Sequence, residues 1–349
     1  MNKKVVSMLC VAAMGISVFG AAAAVSAEEA AFELSKDPEE YKLSIYWPAP
    51  DTYFEENIQP GYQAVEEEFG VTFDYAIGTE WTQDIENQIV EAKAAEGYNL
   101  FMIYGADTSG ANALYKELYD AGCEVINYGG VVDDPQESAL TVCGDVYQYS
   151  YEATCQMIEA LGGEAKIINV LENLGDVNTL ERQRGVEAAV AEYEGAEIVQ
   201  TISDIVTEDE GYEKTFNALA ANPDATGIIA TGGTASRGMA NALKDYYASN
   251  PDAEHLFAVA TDPSEEVLGG IEDGTIDIGV AQNGYGQGYI GALALLHLAE
   301  GWEPVEWGQH IVTGFVFITT DNLDTYEADI EQLSVDIAAE LETTYLTKE

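Results

Sequence analysis

Short apolar runs alternate with segments of helical spacing along nearly the whole chain, and this alternation narrows the fold more than any other feature. The runs that read as strands are Leu43–Trp47, Val71–Ala76, Leu100–Tyr104, Val125–Tyr128 and Leu140–Cys143 in the first half. Ile167–Leu171, Ile198–Ile202, Gly227–Thr231, Phe257–Thr261 and Ile278–Ala281 continue the series. Between most of them apolar residues recur every three or four positions: Ile85, Ile89 and Ala92; Leu114 and Leu118; Val186, Val190 and Tyr193; Met239 and Leu243. That period is the signature of a helix with one buried face. Strands separated by helices imply parallel sheets covered on both faces. So many strands crowd a single sheet, so an α/β fold of two doubly wound parallel-sheet lobes is expected. A last helix is expected over about Tyr326 to Tyr345, with Ile330, Leu333, Ile337 and Leu341 on one stripe.

The N-terminus reads as a secretory leader. Lys3 and Lys4 precede an uncharged apolar run from Val5 to Ala24, and Val25-Ser26-Ala27 supplies the small residues a signal peptidase cuts between. A membrane anchor is the alternative, since about 20 apolar residues span a bilayer. No basic flank follows the run, which favours cleavage near Ala27 and an extracytoplasmic location, periplasmic or cell-surface. Cys10 suggests a lipoprotein, but Ser7-Met8-Leu9 lacks the small residue expected just before it.

Charge excludes whole classes of partner. Loss of Lys3 and Lys4 leaves 11 basic against 63 acidic side chains, a net charge of −52. Such a surface repels nucleic acid and anionic lipid. The acids are interspersed among periodic apolar positions, as in a folded acidic protein and unlike a disordered tail. Cys123, Cys143 and Cys155 remain, without C-x-x-C spacing, so neither zinc nor redox chemistry is indicated. One disulfide or three buried thiols are equally compatible with them. His255, His297 and His310 are far apart and carry no metal motif.

In open α/β sheets ligands sit beyond the carboxyl ends of the strands, near helix N-termini. The residues following the expected strands are therefore the informative ones. They include Trp47 with Asp51, Tyr53 and Phe54, then Gly105-Ala106-Asp107, Gly129-Gly130, Glu172-Asn173, Gly232-Gly233-Thr234, Asp262-Pro263 and Gln282-Asn283. Aromatics, carboxylates and amides are mixed there, but no nucleophile, base and orienter form a set. The chain's only arginines, Arg182, Arg184 and Arg237, all lie at or before helix starts. A guanidinium fork suits bidentate bonding to hydroxyls or carboxylates. Arg182 is the one expected to reach a ligand; ion pairs with nearby acids are the expectation for the other two.

The stretch "FAVATDPSEEVLGGIEDGTIDIGVAQN" has a strand ending in Asp, a helix carrying I-x-x-G, another strand and then Gln. In this the chain resembles the type I periplasmic sugar-binding proteins, the ribose- and galactose-binding receptors of ABC importers. The resemblance runs from "KLSIYW" to "VFITTD". It implies two lobes joined by a multi-crossover hinge near Asp145, Gln282 and Gln309. The corresponding division is a leader over residues 1–27, a first lobe of 28–145 plus 283–309 and a second of 146–282 plus 310–349. It implies ligand-binding roles for Asp262, Gln282 and Arg182, and paired aromatics at Tyr53 and Phe54. A sugar offers hydroxyl edges and C–H faces, so planar bidentate groups and aromatic faces suit it independently of any family. The expected ligand-binding set is Trp47, Asp51, Tyr53, Phe54, Asp107, Gly129, Arg182, Gly232, Asp262 and Gln282. Two positions depart from the family pattern. Gly129-Gly130 stands where Asp-Arg is frequent, and Gly232-Gly233 where Asn-Asp is frequent, which leaves room for a larger or differently decorated ligand.

Gly286-Gln-Gly288-Tyr-Ile-Gly291 also matches the dinucleotide fingerprint G-x-G-x-x-G. That fingerprint needs a second strand ending in an acid about 20 residues on. Here an Ala/Leu-rich helix, Gly301, Trp302 and Pro304 follow, so no cofactor is expected and the glycines read as a tight helix-packing start. The expected function is capture of a small sugar-like or polyol ligand by a monomer that feeds an ABC permease. A receptor serving a sensory kinase or chemoreceptor is the alternative, and a carboxylate-dependent secreted hydrolase a remote one.

Overall fold

The computed structural model describes residues 32–50 and 53–348; the expected leader and Asp51 lie outside the described residues. From Leu34 onward the chain builds two six-stranded sheets. The first five strands are β1 (Leu43–Trp47), β2 (Phe73–Ile77), β3 (Leu100–Ile103), β4 (Glu124–Gly129) and β5 (Leu140–Cys143). Helices α1 (Gln59–Phe69), α2 (Gln83–Ala95) and α3 (Thr108–Asp120) connect them. The next five strands are β6 (Glu164–Val170), β7 (Gly195–Ile202), β8 (Gly227–Ala230), β9 (Phe257–Thr261) and β10 (Ile278–Gln282). They alternate with α4 (Val146–Ala160), α5 (Val177–Ala191), α6 (Glu208–Ala221), α7 (Gly233–Ser249) and α8 (Glu265–Asp273). After α9 (Gly284–Ala299) come β11 (Glu303–Pro304), β12 (Gln309–Val312) and β13 (Phe315–Ile318), then α10 (Tyr326–Ala338) and β14 (Leu346–Thr347).

The first sheet has the order β12-β5-β4-β3-β1-β2 and is parallel throughout. The second has the order β13-β10-β9-β8-β6-β7, with only β13 antiparallel. Successive strand residues point to opposite faces, and both faces of the second sheet are filled. Ile167, Ile229 and Val259 pack with Tyr149, Met157 and Val186 from α4 and α5. Their neighbours Ile168, Ile228 and Ala258 pack with Met239, Leu243 and Ile271 from α7 and α8. In the first sheet Phe101, Ile103 and Val125 meet Val90, Leu114 and Leu118 of α2 and α3. Its other face carries α1 and α9.

The glycines of the G-x-G-x-x-G stretch are explained by that last contact. A Cβ on Gly288 would stand 2.1 Å from the Ile58 carbonyl oxygen, 2.9 Å from the Tyr62 nitrogen and 3.2 Å from the Ile58 carbonyl carbon at α1's entry. A Cβ on Gly61 would stand 2.0 Å from the Tyr285 carbonyl oxygen. The two helices touch backbone to backbone, and only glycine permits so close an approach.

The chain passes between sheets three times: after β5, after β10 and between β12 and β13. β12 belongs entirely to the first sheet, so the last passage lies at Thr313-Gly314, beyond the expected boundary at residues 309/310. The expected final helix also stops early, at Ala338. The chain then widens into a π-helical turn over Leu341–Tyr345, and β14 pairs antiparallel with β11 beside the end of α9. The buried Leu341 and Leu346 anchor this tail. Asn283 joins the passages: its amide donates to the Thr313 carbonyl at 2.7 Å, and its oxygen accepts from Gly286 N–H and the Ser334 hydroxyl. No helix among the described residues is long and apolar enough to cross a membrane.

Candidate functional site

A cleft of about 660 Å³ opens where the carboxyl ends of both sheets face one another. A hollow of about 700 Å³ beside Asp134–Gln136 and Glu306–His310 lies apart from these strand ends and gathers none of the expected site residues.

One wall of the cleft is aromatic. Trp47 ends β1, Trp81 follows β2 and Tyr104 follows β3. The Trp47 and Tyr104 ring centroids are 4.7 Å apart at 65°, and Trp81 meets Trp47 at 5.9 Å and Tyr104 at 5.2 Å, both edge to face. Such edge-to-face pairs are favourable, so the three rings brace one another. Trp47 is only 3% exposed, and its indole N–H has no hydrogen-bond partner among the described residues. A buried donor without an acceptor is uncommon in folded proteins and costs about 1–3 kcal/mol.

The opposite wall is polar. Asp262 follows β9 and adopts the left-handed backbone region, φ 63°. Asp tolerates that region better than most residues, and it turns the side chain into the cleft instead of along the next helix. The cap of α8 is Ser264, whose hydroxyl accepts from Val267 N–H, so Asp262 is free of capping. Gln282, at the end of β10, donates its amide to Asp262 Oδ1 at 2.8 Å. Burial raises the Asp262 carboxyl above its ordinary value, against the opposing pull of Gln282 and Arg182. Arg182 donates through Nε to the Tyr149 hydroxyl at 2.5 Å, and Tyr149 in turn donates to the Thr231 carbonyl at 3.0 Å. That chain fixes the guanidinium while leaving its outer nitrogens towards the cleft and Glu172, 3.8 Å away.

Of the expected set, Trp47, Tyr53, Gly129, Arg182, Asp262 and Gln282 line this cleft. Phe54 does not. It is fully buried behind the wall, stacked on Tyr75 at 4.7 Å and 7°. Asp107 is exposed and caps α3, accepting Gly110 N–H at 2.7 Å. Gly232 leaves no empty space: a Cβ there would stand 2.3 Å from the Glu172 carboxyl carbon. Glu172 occupies that room and accepts Thr234 N–H at 2.8 Å and Ala235 N–H at 3.3 Å, capping α7 in place of a side chain on Gly232. At Gly129, φ 78°, a Cβ would stand 2.3 Å from the Tyr104 ring. The room expected for a larger ligand is thus taken by Tyr104 on one side and Glu172 on the other.

Trp81, Tyr104, Glu172 and Gln287 line the cleft without belonging to the expected ligand-binding set. Glu172 carried a usable signal, because it directly follows a strand and faces a glycine pair. Gln287 is the second residue of the G-x-G-x-x-G stretch, whose helix begins at the cleft. Arg237 also lines it while keeping its expected acid partner, Glu208, at 3.7 Å. Arg184 pairs with Glu181 on the surface. Cys123, Cys143 and Cys155 are free thiols, and burial pushes Cys143 up to about 12. Among the described residues no group of His, Cys, Asp and Glu is placed to hold a metal ion.

A family model described as a periplasmic binding protein domain matches residues 44–303. A putative rhizopine-binding protein of Rhizobium meliloti is 24% identical over 239 residues, 67% of this chain and 75% of the relative. Among solved structures, a solute-binding protein of Burkholderia graminis in complex with D-arabinose superposes with a TM-score of 0.72 at 20% identity, covering 83% of this chain and 99% of that one. A periplasmic ribose ABC transporter protein of Conexibacter woesei gives 0.73 at 20% identity, covering 84% and 97%. A Bacillus halodurans solute-binding protein with bound myo-inositol gives 0.69 at 18% identity, covering 84% and 99%. The two sheets, the passages between them and the family match agree, and the chain belongs to the periplasmic binding proteins of the type I fold.

Proposed function

We propose that the protein captures one small uncharged polyol, a monosaccharide or cyclitol, in this cleft outside the cytoplasmic membrane and delivers it to an ABC permease. The observation that carries the reading is the pairing of walls: an aromatic face with a buried, unpartnered Trp47 N–H opposite the Asp262–Gln282–Arg182 constellation. A pyranose or cyclitol ring presents C–H faces to Trp47, Tyr104 and Tyr53 and an equatorial hydroxyl edge to Asp262, Arg182 and Gln282. Asp262 accepts two hydroxyl protons, while Arg182 donates. The ligand is held without chemical change. D-arabinose, ribose and myo-inositol, named with the similar proteins, share this chemistry.

Tyr104 and Glu172 fill the positions opened by Gly129 and Gly232, which favours a ring of ordinary size over an enlarged ligand. Residues from the two lobes grip opposite sides of the ring, so binding draws the lobes together about the three passages. Cleavage of the leader near Ala27 releases the chain on the outer side.

A thermal-shift screen with D-arabinose, D-ribose, D-galactose, D-fucose, D-tagatose and myo-inositol tests this. At 100 times Kd, binding to the native state alone stabilises by about 2.7 kcal/mol, several degrees of melting temperature in a protein of this size. At least one of these should shift the transition. No shift with any of them at 10 mM, in protein freed of carried-over solute by refolding, overturns the reading.

A further inference from the structure

Glu86 lies in α2 with none of its surface exposed, outside the cleft lining but directly behind its aromatic wall. One carboxylate oxygen accepts Ala106 N–H at 2.6 Å, and the other accepts from the Gln83 amide at 3.1 Å. Ala106 stands two residues after Tyr104, and its carbonyl accepts the Trp81 indole N–H at 3.2 Å. Ala106 is therefore gripped on its N–H by Glu86 and on its C=O by Trp81. Two of the three wall rings depend on where this short loop sits.

The residue type is more than packing requires. A glutamine offers one acceptor oxygen, enough for Ala106 N–H, but would turn its amide N–H2 towards the Gln83 amide; a carboxylate accepts from both, at the cost of bringing charge into the interior. The groups facing Glu86 are Gln83 from its own helix, Tyr46 from β1, Asp107 from the loop before α3 and Tyr115 from α3. None is a cation. The Tyr115 hydroxyl is engaged with Asn127 at 2.9 Å, while the Tyr46 hydroxyl has no hydrogen-bond partner among the described residues. A buried carboxylate held by two donors and no positive charge is poised between its two protonation states.

We propose that Glu86 is a positioning residue for the aromatic wall and makes the cleft responsive to pH. Burial pushes its carboxyl up to about 7, against the pull of Ala106 N–H and Gln83. When ionised, Glu86 holds Ala106 through a charge-assisted hydrogen bond, about twice as strong as a neutral one. When protonated, it loosens that grip, and its own new O–H lies among the tyrosines. Tyr104 and Trp81 then lose the anchor that sets their angle to Trp47. Affinity for the polyol consequently falls as pH drops through 7. This coupling rests on the solute-binding reading, but the state of the wall does not.

The first test needs no ligand. Tryptophan emission of wild-type protein, Glu86→Gln and Trp81→Phe is followed between pH 5 and 9. The expected result is a single step near pH 7 in the wild type, absent in Glu86→Gln and at least halved in Trp81→Phe. A wild type without a step, a Glu86→Gln with the same step, or a Trp81→Phe with the full step overturns the proposal. If Glu86→Gln does not fold, the Trp81→Phe comparison decides alone.

The second test uses whichever sugar gives the largest thermal shift. With only the ionised form competent, the competent fraction at pH 5.5 is about 3%, so affinity falls at most about 30-fold between pH 8 and 5.5. A loss of 3- to 30-fold in the wild type and less than twofold in Glu86→Gln is expected; equal pH dependence in both overturns the coupling. If no sugar binds, the polyol reading fails while the emission titration still decides the role of Glu86.

Discussion

Replacing Asp262 by Asn perturbs the site by one charge and almost nothing else. Asn tolerates the left-handed backbone that Asp262 adopts at φ 63°. Its Oδ1 still accepts from Gln282, as Asp262 does at 2.8 Å. The cap of α8 is unaffected because Ser264 supplies it. What changes is the ability to accept two hydroxyl protons with a full negative charge. Hydrogen bonds to charged groups contribute about 1.5–3 kcal/mol against about 0.5–1.5 for neutral ones. The difference of roughly 1–2 kcal/mol predicts an affinity loss of about 5- to 30-fold. The folded-state carboxyl lies above its ordinary value because of burial. Ionising it therefore costs stability that is absent at low pH and is felt fully once pH exceeds the folded value. Neutralising it at pH 7 should leave the ligand-free melting temperature unchanged or slightly raised. Calorimetric titration paired with a melting curve reads both quantities. Equal affinity in the variant, within twofold, refutes the assignment; a melting temperature several degrees lower refutes the account of its surroundings.

Three further substitutions probe the frame around the cleft. Gly288→Ala drives a Cβ to 2.1 Å from the Ile58 carbonyl oxygen, so α9 must move off α1; denaturant melts should show a loss of about 2 kcal/mol or more, whereas a neutral result contradicts the packing explanation of G-x-G-x-x-G. Glu172→Ala removes the acceptor for Thr234 and Ala235 N–H and should cost about 0.5–2 kcal/mol, as cap losses do; full stability would show that Glu172 does not cap α7. Glu86→Gln should stabilise ligand-free protein by up to about 3 kcal/mol at pH 8 and by little below pH 4.5, because a carboxyl raised from 4.5 to about 7 loses stability as pH climbs through that window. The stability difference between variant and wild type should therefore grow between pH 4.5 and 8; a difference that does not change with pH contradicts the assignment of a buried, poised carboxyl.

The strand-helix alternation is strong because parallel strands buried on both faces are continuous apolar runs, and each expected run overlaps an observed strand. β12 and β13 were harder to see. "QHIVTGFVFI" is two short edge strands separated only by Thr313-Gly314, and β12 opens on the polar pair Gln309-His310. The cleft was legible where a side chain directly ends a strand, as Trp47 and Gln282 do, or turns out of the next residue, as Asp262 does. Tyr53 and Phe54 show the limit of such reading. Neighbours in a helical turn point about 100° apart, so an adjacent aromatic pair cannot both face one ring. Sequence alone does not say which one turns inward to Tyr75. Asp107 satisfies the same positional rule as Asp262, yet its backbone is extended and its carboxylate is spent on Gly110. The glycine pairs misled for a different reason. Absence of a side chain was read as space, whereas Tyr104 and Glu172 reach across from other strand ends to fill it.

The account stands or falls on where the ligand sits. A crystal structure with the sugar giving the largest thermal shift should show one ring between the two lobes, its face against Trp47 and Tyr104. Two of its hydroxyls should lie within 3.2 Å of the Asp262 carboxylate, with Arg182 bonding the adjacent edge. A ring bound elsewhere, or one held in this cleft without contact to Asp262 and Arg182, contradicts it.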